Sequence, residues 1–179
     1  MGVDVGAAGA AMETGEVGGV IRPASPEDAQ RICDIYNYYV AGTAISFEEQ
    51  PVIPASMAQR ISEGSVSHPW LVLERDGAIR GYAYAAPWHR RSAYRFSAET
   101  TVYVAREHQR EGIGIALYRA LIGRLKLAGF HCVIGTIALP NPASVALHER
   151  LGFVKVGTIE EVGLKLGRWV DVGYWKLLL

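Results

Sequence analysis

The sequence predicts an α/β protein built on one mixed sheet. Three observations carry that expectation. Segments with the two-residue alternation of strands interleave with segments of helical period, in the order β-α-α-β-β-β-α-β-α-β-β. The stretch "WLVLERDGAIRGYAYAAP" is an apolar strand, an Asp76-Gly77 turn and an alternating strand, which together make a hairpin. The strand at 95–105 reaches the strand at 131–138 through a helix, and a crossover of that kind makes the two strands parallel.

The elements follow in order. Residues 1–19 are rich in Gly and Ala without stable periodicity, and are expected to form a flexible N-terminal tail, with Met12 as an alternative start. The folded part, 20–179, opens with a short strand in "GVIRPA". Ser25 caps a helix, Pro26 fits its first position and Asp28 completes an approximate capping box. Ile32, Ile35, Tyr36 and Tyr39 form its apolar face, and Gly42 ends it. An irregular loop covers 43–53, a second helix 54–63, and the hairpin follows. Pro87 to Arg91 is a loop before the strand at 95–105. A helix beginning near Ile115 ends at Gly129, "HCVIGTIAL" is a buried strand, and a short helix spans 142–151. Strands at 153–160 and 169–178 finish the chain.

Composition narrows the function classes. The chain has 179 residues, half of them hydrophobic, which suits one domain with a real core. Lys plus Arg equals Asp plus Glu at 18 each, and zero net charge argues against a partner held by phosphate neutralisation, hence no nucleic acid. The two cysteines, Cys33 and Cys132, are far apart in apolar surroundings, which favours a reduced, cytoplasmic protein over a disulfide scaffold. Cys132 reads as core. No apolar run is long enough to span a membrane, and the N-terminus lacks the pattern of a secretory signal. The five histidines, among them His68, His108 and His131, show no paired spacing of metal ligands, so no metal is expected.

The chemistry-bearing stretch is "VYVAREHQREGIGIALYRAL". Gly112 and Gly114 sit between a strand and a helix. A dinucleotide fingerprint fails, because Leu117 stands at the third glycine and no ribose-binding acid follows. A P-loop fails for want of Gly-Lys-Ser/Thr. Two readings stay open: a tight turn, or an anion seat of backbone amides at a helix N-terminus. In "NPASVALHERLGF" Asn141 can cap its helix, while Ser144 and His148 lie i,i+4 on one face.

These residues together resemble the GNAT acetyltransferases. The pattern Q/R-x-x-G-x-G/A is matched at Gln109, Gly112 and Gly114. A later N-x-x-S/A-x-x-x-Y-x-x-x-G-F is matched at Asn141, Ser144, Gly152 and Phe153, with His148 at the tyrosine position. "IYNYYV", "TAISFEEQP", "AETTVYV", "LHERLGF" and "GLKLGRWVDVGYW" bring the chain nearer to the branch of phosphinothricin N-acetyltransferases and L-amino-acid N-acyltransferases, which act on methionine sulfoximine and sulfone. The resemblance covers about 20–178. It implies a GNAT fold, a mixed, mostly antiparallel twisted sheet of about six to seven strands flanked by helices. It also implies acetyl-CoA as donor, a small amine or amino-acid substrate, and a homodimer.

It implies residue roles as well. Strand residues Val102, Tyr103 and Val104 would meet the pantetheine. Gln109, Arg110, Glu111, Gly112, Ile113, Gly114 and Ile115 would surround the pyrophosphate, although Glu111 brings an unhelpful negative charge. Asn141 and Ser144 complete the cofactor side. Substrate contacts fall on His89, Arg90, Arg91, Glu99, Thr100 and Thr101. An α-amine is mostly protonated at neutral pH and must lose a proton before it attacks a thioester, so a general base is needed, and Glu99 takes that position. His148 is the candidate acid for the leaving thiolate, and the amide of Val102 or Tyr103 for the oxyanion. A carboxylate or phosphinate on the substrate suits guanidinium forks, with Arg90, Arg91 and Arg95 nearby. Lys165, Arg168 and Trp169 would complete the pocket, from this subunit or a neighbouring one. Phe47 would wall it, and Trp88 is equally wall or core. Two rivals stand beside this reading: a protein or peptide N-acetyltransferase, and a non-catalytic acyl-CoA-binding module.

Overall fold

The computed structural model describes residues 17–179 and the backbone of Met12 and Glu13, so most of the expected tail lies outside the described residues. β1 (Met12–Glu13) is a two-residue strand. β2 (Val20–Pro23), α1 (Ala29–Gly42), α2 (Pro54–Ser65), β3 (Trp70–Arg75), β4 (Ala78–Pro87) and β5 (Ser97–Val104) form the first half. α3 (Ile113–Leu127), β6 (Cys132–Leu139), α4 (Pro142–Arg150), β7 (Val154–Lys165) and β8 (Arg168–Leu178) form the second.

The strands make one sheet in the order β1-β2-β3-β4-β5-β6-β8-β7. Every neighbouring pair is antiparallel except β5 and β6, the crossover pair, which is parallel. Successive side chains of a strand face opposite sides, so the sheet carries two cores. Val72, Tyr82 and Tyr103 face α1 and α2, meeting Ile32, Ile35, Tyr36, Met57 and Ile61. Leu71, Leu73, Ala83 and Val133 face the other way, onto Leu117, Leu121 and Leu125 of α3 and Trp175 of β8. Those three leucines are fully buried, and each contributes about 1.5–3 kcal/mol by leaving water.

The first turn of the helical region is held by charge. Arg22 donates to both oxygens of Asp28 at 2.8 and 2.9 Å, and the Ser25 amide donates to the same carboxylate at 2.8 Å. Burial pushes the Asp28 carboxyl up, but Arg22 and the Ser25 amide outweigh it and hold the group below its ordinary value. A depressed carboxyl stabilises the fold above the unfolded pKa and stops doing so as pH falls through the folded one. Asp28→Asn is therefore expected to cost about 1–2 kcal/mol near neutral pH, in line with charged hydrogen bonds. Thermal melts should find that gap closing as pH falls below the ordinary carboxylate range and through the lowered Asp28 value; a gap independent of pH would contradict the assignment.

Two expectations need correction. β7 does not stop at 160 but runs to Lys165, and Leu166-Gly167 turns directly into β8 with φ of 50° and 72°. Register shifts between Lys155/Gly157 and Ile159/Gly163, with Glu161 at φ 49°, break the alternation that would mark the strand in the sequence. Cys132 opens β6 and is only half-buried, while Cys33 is buried; both are free thiols.

Candidate active site

The site begins where two strands part. β5 pairs with β6 only through Ser97, Ala98 and Glu99, the last opposite Ile134. Beyond Glu99 the strands diverge and leave a narrow cleft of about 50 Å³. Its walls include Thr100, Thr101, Val102 and Tyr103 from β5, Thr136, Ile137 and Ala138 from β6, Tyr118 from α3, and Asn141, Ser144 and His148 from α4.

Strand alternation decides which backbone groups are free there. The Phe96 carbonyl accepts from His131 and Cys132 on the β6 side, and the Ser97 carbonyl accepts from Trp88 on the β4 side. Even-numbered residues of β5 thus face the cleft and odd-numbered ones face β4. The Thr100 carbonyl is taken by the Tyr118 hydroxyl at 2.9 Å, and the Val104 carbonyl by the Tyr39 hydroxyl at 2.5 Å. Val102 lies between them, beyond the last β6 pair, with amide and carbonyl both turned to the cleft. Tyr103 turns its amide to β4, so of the two candidate oxyanion donors only Val102 faces the cleft.

The α4 side is set by two short contacts. Asn141 Oδ1 accepts from the Ser144 amide at 3.1 Å, capping the helix, and this leaves the Asn141 Nδ2 donor for another partner. His148 Nδ1 lies 2.7 Å from the Ser144 carbonyl, which can only accept, so Nδ1 carries the ring hydrogen. Nε2 lies 3.2 Å from the Tyr118 hydroxyl. His148 is buried, and burial pushes its imidazole pKa down despite the opposing Ser144 carbonyl. The ring rests neutral with Nε2 as an acceptor, which is not the resting state of a proton donor.

At the mouth, Arg110 and Gly112 both adopt left-handed backbone, φ 67° and 81°, and Gly112 caps α3. Left-handed geometry is cheap at Gly112 and turns the loop so that the first amides of α3 point outward. Ile113 buries its side chain in the core, so only its backbone is offered, whereas Gly114 and Ile115 are half-buried. Gln109 does not project into the mouth: its Nε2 donates to the Tyr39 hydroxyl at 3.0 Å, bracing the loop on α1.

The substrate-side residues are dispersed. Glu99 is half-buried opposite Ala86; burial pushes up the phenols of Tyr84 and Tyr118 on the two sides of the sheet, and the nearby Glu99 carboxylate adds a smaller push in the same direction. One residue pair further along, Pro87 opens a cavity of about 790 Å³ lined by Trp88, His89, Arg90, Arg91 and Tyr94. Arg95 stacks on Phe96 instead. Arg168 and Trp169 line a separate cavity of about 340 Å³ with Ile45, next to Ala138 of the cleft wall. Phe47 lies against the backbone of Gly163. Lys165 is buried, and its ammonium donates to the carbonyls of Val40 and Glu48. It ties β7 to the end of α1 rather than opening onto any of these cavities. Among the described residues no cluster of His, Cys, Asp or Glu is arranged to hold a metal ion, and no helix is long and apolar enough to cross a membrane.

Parallel strands that part beside a glycine turn are then matched by a family model, Acetyltransferase (GNAT) domain, over residues 21–173. The chain belongs to the GNAT acetyltransferases. It is 42% identical over 156 residues to a phosphinothricin N-acetyltransferase of Streptomyces viridochromogenes, covering 87% of this chain and 85% of that one. It is 34% identical over 160 residues to an L-methionine sulfoximine/L-methionine sulfone acetyltransferase of Salmonella typhimurium, covering 89% and 94%. A crystal structure of a GNAT superfamily phosphinothricin acetyltransferase from Sinorhizobium meliloti, in complex with AcCoA, superposes with a TM-score of 0.87 at 37% identity, covering 90% of this chain and 88% of that one. This GNAT protein is an acetyl-CoA-dependent N-acetyltransferase, and its seven longer strands form the mixed sheet of the family.

Tyr118, Tyr39, Thr136 and Ile45 escaped the sequence reading. Tyr118 falls in the apolar period of α3 and nothing marks its hydroxyl as directed at a cleft. Tyr39 looked like one more core residue of α1, and its bond to Val104 spans 65 positions.

Proposed function

We propose that this GNAT enzyme moves the acetyl group of acetyl-CoA directly to the α-amine of a small amino acid or analogue. The class is that of phosphinothricin, methionine sulfoximine or methionine sulfone. The observation that carries the reading is the placement of Glu99 at the last β5–β6 pair, where the cleft begins and one residue pair from the cavity at Pro87. The thioester would arrive along the cleft and the amine from the cavity, so the two meet at Glu99.

The residues divide the work. The Val102 amide and carbonyl are unspent and suit the pantetheine amides or the thioester oxygen. Asn141 caps α4 with its oxygen and keeps its Nδ2 for the cofactor. The amides from Gly112 to Ile115, at the N-terminus of a 15-residue helix, suit the pyrophosphate. Glu99 takes the proton from the ammonium, directly or through water, and the free amine attacks the carbonyl carbon. The tetrahedral adduct gives up the extra proton on its nitrogen and collapses, the C–S bond breaks, and the thiolate takes up one proton, leaving the N-acetyl amide and the free thiol. His148 suits this last step only as a relay, because Nε2 must first accept the proton that it passes to sulfur. Arg90 and Arg91, both exposed at the cavity, suit a substrate carboxylate or phosphinate.

A homodimer fits the same reading. Val154, Val156, Val162, Leu164, Leu166 and Trp169 are each about half exposed or more on the β7–β8 hairpin, and β7 is the sheet edge. Monomers rarely leave so much apolar surface on an unpaired edge.

Thiol release from acetyl-CoA across phosphinothricin, methionine sulfoximine, methionine sulfone, ordinary amino acids and an alanine-ended peptide tests the acceptor. The reading expects one of the first three to lead in kcat/KM. Preference for the peptide would overturn it.

A further inference from the structure

Glu111 puts a carboxylate in the loop proposed to seat a pyrophosphate, and the structure holds that carboxylate to one side. Arg75, the last residue of β3, donates from Nη2 to Glu111 Oε2. His108 Nδ1 lies 3.0 Å from Glu111 Oε1. Arg80 Nη1 lies 3.0 Å from His108 Nε2. Arg75 Nη2 also lies 3.3 Å from His108 Nδ1, but the Glu111 oxygen is nearer to that nitrogen and can only accept; with Arg80 donating to Nε2, the ring hydrogen is assigned to Nδ1, where it is given to Glu111. Arg75 is itself placed by a bond from Nη1 to the Val17 carbonyl at 3.2 Å. Two arginines of the β3–β4 hairpin thus reach the loop, one directly and one through His108. Together they cancel the Glu111 charge, and the carboxyl is held below its ordinary value, chiefly by Arg75 and then by His108.

We propose that Arg75 is a positioning residue for acetyl-CoA: it keeps the Glu111 carboxylate out of the pyrophosphate seat and neutralises it. The proposal rests on the reading of residues 110–115 as that seat. Without Arg75, a side chain of like charge is free to swing toward two phosphates, held only by the hydrogen bond to His108. Glu111 is partly exposed, with 37% of its side chain accessible, so solvent and salt weaken the repulsion without removing it.

Arg75→Ala should raise the KM for acetyl-CoA about fivefold at low salt, with kcat and the KM for the amine unchanged. Adding Glu111→Gln to Arg75→Ala should bring the KM back to within about twofold of the parent, because the repelling charge is gone. Arg75→Lys keeps the charge and should behave like the parent. The loss should shrink in about 1 M salt. A clamp that merely supported the loop would give no rescue in the double variant and no salt dependence, and either result overturns the proposal. So does an unchanged KM in Arg75→Ala. If Arg75→Ala does not fold, Arg75→Met with and without Glu111→Gln carries the same comparison. Calorimetry of acetyl-CoA on the parent protein separates the two levels. No binding strikes down the pyrophosphate reading itself, whereas binding that Arg75→Ala leaves intact strikes down the role of Arg75 alone.

Discussion

Glu99→Gln is expected to lower kcat about 100- to 10,000-fold while acetyl-CoA affinity stays within about twofold, the range general-base removal usually gives. Gln has the same size and retains an oxygen acceptor, so the strand pairing of Glu99 with Ala86 and Ile134 survives. Only the capacity to take a proton is lost. The acetyl-CoA contacts proposed at Val102, Asn141 and the α3 N-terminus lie further along the cleft and around the loop, which is why binding should persist. Steady-state thiol release gives kcat, and calorimetry gives the affinity. A kcat within a few-fold of the parent would remove Glu99 from the mechanism.

The second large effect is expected at Gly135 of β6, which lies against the His148 ring. A Cβ there would lie 2.4 Å from His148 Nε2 and 2.5 Å from Cδ2. Gly135 sits in β6 opposite Trp175, so the backbone cannot yield without disturbing β8. The imidazole has to move, breaking its bond to the Ser144 carbonyl and its contact with Tyr118. Gly135→Ala should cost about 1–3 kcal/mol, as overpacked cores do. It should also lower kcat on the order of ten- to a hundredfold through the misplaced ring. Adding His148→Ala should recover most of the stability but not the turnover, and that cycle isolates the clash. A Gly135→Ala protein with parental stability and parental kcat would contradict the packing and the part assigned to His148.

The legible parts of this molecule are those written in local pattern. Asp76-Gly77 fixes a hairpin because both positions need positive φ, 54° and 70° here. Asn141 announces α4 because few residue types suit the cap position. The parallel pairing of β5 and β6 follows from the intervening helix. What stayed hidden depends on contacts distant in sequence. The end of the β5–β6 ladder at Glu99 has no local signature, yet it creates the cleft. Lys165 looked like a pocket cation, but the curled end of β7 buries it against Val40, 125 positions away. Glu111 looked unfavourable in isolation, and only the fold brings Arg75 to it across 36 positions. His148 lies on the wall of the cleft, and its hydrogen position emerged only from the Ser144 carbonyl behind it.

The most direct test of the central claim is a product balance in a single reaction mixture. The protein is incubated with acetyl-CoA and each of phosphinothricin, methionine sulfoximine and methionine sulfone, and free thiol and N-acetylated amino acid are quantified together by absorbance and mass spectrometry. Direct transfer predicts amine-dependent thiol release matched one to one by N-acetyl product, with no acetyl group left on the protein. Thiol release without matching product, or acetyl-CoA binding with no transfer to any of the three, would contradict it.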